Sequence, residues 1–151
     1  MTTTQKILLA SGILQFALAI FQAGIAFSPS LSLYFGAPES LVANRVTLAG
    51  TSFFVSGFLI LFGFYALSGA GTVRRLPWLR QMLIIISGIY ILRGLVLIPE
   101  VLVIAGVVVT SIPIAPRFVV MSAAALTVGG LFAAGTVGGW ATLSPGGDAT
   151  P

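Results

Sequence analysis

Residues 78–112 read WLRQMLIIISGIYILRGLVLIPEVLVIAGVVVTSI, and this stretch decides the fold. After Arg80 its only charges are Arg93 and Glu100. As one helix, the part from Trp78 to Thr110 would be about 50 Å long, against a hydrocarbon layer of roughly 30 Å. Working outward, three further runs are as apolar. Ile7 to Phe27 is closed by Ser28-Pro29, Val46 to Leu67 by Ser68-Gly69-Ala70-Gly71, and Phe118 to Trp140 leads to the polar tail Ser144-Pro145-Gly146-Gly147-Asp148. Each run supplies the roughly 20 residues a spanning helix needs. No alternation of period two supports a barrel, and no repeat or soluble domain is left over. The expected fold is all-α: an integral membrane four-helix bundle forming a single membrane domain, 1–151, with spans at about 7–27, 46–67, 78–110 and 118–140.

Composition agrees. Of 151 residues, 58% are hydrophobic and 7% charged, with a net charge of +4. Soluble domains carry about 25% charged residues. Six of the seven basic residues, all but Arg93, sit at the ends of apolar runs, which argues against a nucleic-acid face. Cysteine and histidine are both lacking. That removes thiolate chemistry, the commonest metal ligand and the side chain that titrates near neutral pH. No cofactor and no enzymatic activity are expected. The first run begins after Lys6 and offers Gly24-Ile25-Ala26 as a cleavage site, but at about 21 residues it exceeds the 7–15 of a signal peptide. It is expected to stay as a span.

The third run has two readings. Pro99 lacks a donor and crowds the carbonyl of Leu95, which kinks a continuous helix. Alternatively the span ends at Ile98, and Pro99 and Glu100 open a short interfacial or re-entrant helix. The long helix kinked at Pro99 is the expectation. Orientation follows from Lys and Arg. Lys6, Arg74, Arg75 and Arg80 share one side, Arg45 and Arg117 the other, which places both termini in the cytoplasm. Trp78 and Trp140 fall at the same ends of their spans, where interfacial aromatics concentrate.

Arg93 lies about 20 Å along the helix from Arg80, inside the apolar layer. A central arginine costs roughly 2.5–3.5 kcal/mol on insertion scales, so it normally faces the protein interior, water or a carboxylate. Glu100, the sole acid inside the apolar runs, is seven residues on and near the same face if the helix continues. Tyr90 joins that stripe. Gln22, with Gln15 and Ser11 on its face of the first helix, reaches a similar depth. Glu39 and Arg45 stand just outside. Arg93, Glu100, Tyr90, Gln22, Arg45 and Glu39 are therefore the candidate polar pocket, for an anion or a lipid headgroup. The structural alternatives are an Arg93–Glu100 pair, an Arg93 that snorkels to the interface, and glutamines that act as interhelical hydrogen bonds. Ser68-Gly69-Ala70-Gly71 before Arg74-Arg75 lacks the strand and Gly-Lys of a P-loop. It reads as a helix stop with membrane anchors. In the fourth run Ala125, Gly129 and Ala133 recur every fourth residue, as do Gly130, Ala134 and Gly138, while Gly135 and Gly139 form a GxxxG pair. Such faces pack helix on helix, within the chain or, through Gly130, Ala134, Gly135, Gly138 and Gly139, on a second copy or a partner helix.

The segments Tyr65-Ala-Leu-Ser-Gly-Ala-Gly71, Arg74-Arg75-Leu76-Pro77 and Ile89-Tyr-Ile-Leu-Arg-Gly94 resemble small bacterial inner-membrane proteins of similar length with four helices. The likeness covers the second and third spans. It implies a bacterial inner membrane and carries over no catalytic or binding residue. Small multidrug-resistance transporters also have four helices, but they depend on a membrane-embedded acid in the first. Here that helix holds Gln15 and Gln22 instead. The expected role is a non-enzymatic accessory or lipid-interacting protein whose partners are membrane lipids. The alternative is a small oligomeric transporter or channel with Arg93 and Glu100 in its pathway. A lipid-acting enzyme would have only Glu100 and Glu39 as bases.

Overall fold

A computed structural model describes residues 1–109, 115–141 and 143. Its helices are α1 (Thr3–Ile25), α2 (Pro29–Tyr34), α3 (Glu39–Val42), α4 (Arg45–Gly69), α5 (Leu79–Leu95), α6 (Leu97–Ile104) and α7 (Pro116–Gly138), and no strand occurs among the described residues. Thr110, where the third span was expected to end, and the tail 144–148 lie outside them. Four helical segments are long and apolar enough to cross a membrane: Thr3–Ile25, Arg45–Gly69, Leu79–Ile104 and Pro116–Gly138.

Local chemistry sets the boundaries. Thr2 and Gln5 form a reciprocal capping box at the start of α1. Asn44 Oδ1 accepts from the amides of Val46 and Thr47 and opens α4. Pro116 occupies the first turn of α7, where its missing donor is not needed. The third span is interrupted at Val96, three residues before Pro99, and resumes as α6. Pro99 cannot donate to the Leu95 carbonyl, so the ladder ends upstream of the ring, and Pro99 falls in the first turn of the next helix, where proline is tolerated. Glu100 follows in the same turn.

The spans run alternately up and down. α1 packs on α4, α5 on α7, and α1 also meets α7. Glycines allow these approaches. A Cβ on Gly94 would lie 2.7 Å from the Leu126 backbone, one on Gly129 2.9 Å from the Ile91 amide, and one on Gly135 2.6 Å from a Leu8 methyl. Side chains cross the seams as hydrogen-bond donors. Ser56 Oγ donates to the Ala19 carbonyl at 2.9 Å, and Ser87 Oγ to the Gly129 carbonyl at 3.1 Å. The apolar core of Leu8, Leu79, Leu83, Ile86, Phe132 and Leu143 lies toward the end that carries Thr3 and Gly138. It joins the α1–α4 pair to the α5–α7 pair at that end.

Beyond that core, the distribution of side chains differs from that of a soluble protein. Ser11, Gln15, Ser52, Ser56, Ser87, Ser122 and Thr136 are buried, while Ile20, Phe54, Leu92 and Val137 face outward. Large apolar residues on the whole circumference with small and polar ones inside suit a hydrocarbon solvent.

The small residues Gly130, Ala134, Gly135, Gly138 and Gly139 of α7 meet different surroundings. Gly135, Gly138 and Gly139 receive Leu8 and Thr4 of α1, whereas Gly130 and Ala134 are exposed, and nothing lies within 4 Å of a Cβ on Gly130.

Candidate functional site

Away from the shared core the two helix pairs separate and leave a cavity of about 670 Å³. Its walls come from all four spans, and Ser32, Phe35, Gly36 and Leu41 of the 26–44 connection line it as well. That connection is anchored at two points. The Arg117 guanidinium lies 4.7 Å from the Tyr34 ring centroid. Gly36, with φ +91°, packs so closely on Phe118 that a Cβ there would come within 2.7 Å of its ring.

Most of the lining is apolar: Leu14, Leu18, Leu48, Leu59, Met121 and Val128 surround a few polar groups. Among the six residues singled out from sequence, Gln22, Tyr90 and Arg93 line this cavity. Glu100, Glu39 and Arg45 do not. Glu39 opens α3 and Arg45 begins α4, both exposed. Glu100 is buried on α6, and its Oε2 has no hydrogen-bond partner among the described residues.

An Arg93–Glu100 pair is one structural alternative for these residues, and the described side chains do not form it. Arg93 Nη1 donates to Ser122 Oγ at 2.8 Å, and no ion pair joins Arg93 to Glu100. The turn at Val96 is the reason, because the seven-residue spacing aligns two side chains only along an unbroken helix. Arg93 is exposed rather than enclosed. It occupies the last turn of α5, where the carbonyl end of the helix favours a cation. A hydroxyl and a helix terminus thus stabilise the guanidinium without cancelling its charge, and that charge borders an apolar cavity.

Tyr90, one turn earlier, makes the floor. Its hydroxyl donates to Gln15 Oε1 at 2.8 Å, tying α5 to α1. Its ring stacks on Phe132 at 6.3 Å and meets Phe62 edge-on at 6.4 Å. Gln15 is fully buried, and its Nε2 has no partner among the described residues. The site residues that sequence reasoning passed over are Ser122, Ser32 and Ser52. Ser122 had a legible signal: Ser122, Gly129 and Thr136 recur every seventh residue on the face of α7 that turns inward.

No protein-family model, no curated protein and no solved structure matches the chain.

Proposed function

We propose that this chain is a non-enzymatic, four-helix integral membrane protein that binds an amphipathic anion of lipid type in the cavity between its helix pairs. The observation that carries the reading is Arg93: a cation with a hydroxyl for its side-chain partner, on the wall of a cavity of about 670 Å³ whose lining is otherwise mostly apolar. A volume of this size suits a drug-sized ligand. An acyl chain matches the leucine, methionine and valine walls, and a carboxylate or phosphate matches the guanidinium. The basic-residue bias supports cytoplasmic termini, and the family likeness supports a bacterial inner membrane as its location. The oligomeric transporter reading requires Arg93 and Glu100 in one pathway. Only Arg93 lines the cavity, so the binding role is favoured.

The test is a titration of the purified chain, in zwitterionic micelles, with a fluorescent fatty acid and with the fatty alcohol of the same length. The acid should bind more tightly than the alcohol. Arg93→Gln should remove that preference, weakening acid binding about tenfold or more, the scale of a charge-assisted hydrogen bond. Ala125→Trp, which fills the cavity and keeps the charge, should weaken both probes. Equal affinity for acid and alcohol in the wild type, with no effect of Arg93→Gln, overturns the reading.

A further inference from the structure

Contacts between the spans fix their register in depth. Tyr90 of α5 meets Gln15 of α1, and Ser56 of α4 meets the Ala19 carbonyl of α1. A Cβ on Gly129 of α7 would lie 3.1 Å from the Tyr90 Cβ. α1 and α5 run away from the end that carries Thr3, and α4 and α7 run toward it, so on the latter pair lower numbers lie further out. Gln22 is seven residues beyond Gln15 and Ser122 seven beyond Gly129, so both stand about 10 Å above the level of Tyr90. Ser52, four residues beyond Ser56, stands about 6 Å above Ala19, and therefore within about 2 Å of Gln22 in depth.

The Arg93 guanidinium, which donates to Ser122, thus shares one level with Gln22 and Ser52. The groups face one another across the cavity: Arg93 on the wall of the α5–α7 pair, Gln22 and Ser52 on the wall of the α1–α4 pair. Between this level and Tyr90 the lining is apolar, with Leu18, Leu59 and Val128. The cavity therefore has a polar girdle above an apolar chamber.

The two halves of the girdle differ in chemistry. A guanidinium only donates, and it selects acceptor oxygens. An amide and a hydroxyl each donate and accept. Ser52 is buried and Gln22 half-buried, and among the described residues neither side chain has a hydrogen-bond partner. Polar groups in such a wall fix the orientation and specificity of a ligand. A fatty-acid carboxylate satisfies the guanidinium but brings no donor to the acceptors on Gln22 and Ser52. A headgroup that joins an anion to a hydroxyl satisfies both walls at once. We propose that the ligand is a single-chain glycerolipid phosphate, its phosphate on Arg93, its glycerol hydroxyl on Gln22 and Ser52, and its acyl chain in the chamber above Tyr90. This inference deepens the anionic-lipid reading and rests on it.

The test is a calorimetric titration of the full chain in zwitterionic micelles with three probes. They are decanoylglycerol phosphate, its deoxy analogue with hydrogen in place of the glycerol hydroxyl, and glycerol phosphate without the acyl chain. The hydroxylated lipid should bind about tenfold more tightly than the deoxy analogue, the scale of one or two neutral hydrogen bonds. Gln22→Leu and Ser52→Ala should each reduce that preference while leaving the deoxy analogue at wild-type affinity. Ser52→Ala removes a single oxygen, so it carries the test should Gln22→Leu fail to fold. Arg93→Gln should weaken both lipids alike. Equal affinity for the two lipids, with both still dependent on Arg93, overturns the hydroxyl subsite and leaves the anion reading standing. Binding of both lipids that is independent of Arg93 overturns the anion reading and this inference with it. A preference that survives in both wall variants overturns the assignment of the hydroxyl to Gln22 and Ser52. Glycerol phosphate binding as tightly as the acylated form overturns a lipid as the source of the headgroup.

Discussion

The two faces of α7 are built from the same small residues and meet opposite surroundings. On the inner face Ser122, Gly129, Gly135 and Thr136 are buried against α1 and α5. On the outer face Gly130, Ala134 and Val137 are exposed. A glycine therefore marks a close helix contact only where a partner helix is present to use it, and residue type alone does not say which. Gly129 and Gly130, adjacent in the chain, are the sharpest case.

The largest effect should come from Gly129→Leu. A Cβ there already approaches Ile91 and its backbone to 2.9 Å, and forcing bulk into a packed seam costs about 1–3 kcal/mol or more. Thermal unfolding in detergent should show a clear loss, and a wild-type melting curve would mean that α5 and α7 do not meet as described. Tyr90→Phe comes next. It leaves Gln15 buried without its hydroxyl partner, so about 1–2 kcal/mol should be lost within the inner face of the protein. If Tyr90→Phe and Gln15→Leu simply add in the double variant, the two side chains are not coupled.

Ser87→Ala removes one donor to the Gly129 carbonyl across the seam, and the expected loss is about 0.6 kcal/mol, the mean for such bonds in a membrane. The smallest effect should be that of Gly130→Leu, within about 0.5 kcal/mol of wild type, with no change in oligomeric state on gel filtration. Early melting of this variant, or a shift in its size, would reverse the comparison: the outward face would then pack on a second copy of the chain.

Three residues of the cavity lining were readable from residue types. A charged side chain deep in an apolar run is costly enough that it must have a purpose, which is why Arg93 stood out, and Tyr90 and Gln22 followed from helical spacing. The grouping was less legible. Glu100 was assigned to Arg93 by a spacing that holds only along a continuous helix, and the turn at Val96 breaks it. Ser122 comes from α7, 29 positions from Arg93, and a lone serine in an apolar helix carries no sign of which distant group it will meet.

By itself the sequence determined that four segments are long and apolar enough to span a bilayer, because that depends on length and hydropathy, which are additive along the chain. It also marked the residues whose burial is expensive. Only the tertiary structure decided which of those share a cavity. The glycines of α7 and the leucines of α1 close the molecule at one end, and the separation of the two helix pairs opens it at the other. Such proximity depends on interhelical distance and on a single interrupted turn, quantities that no local pattern of residues encodes.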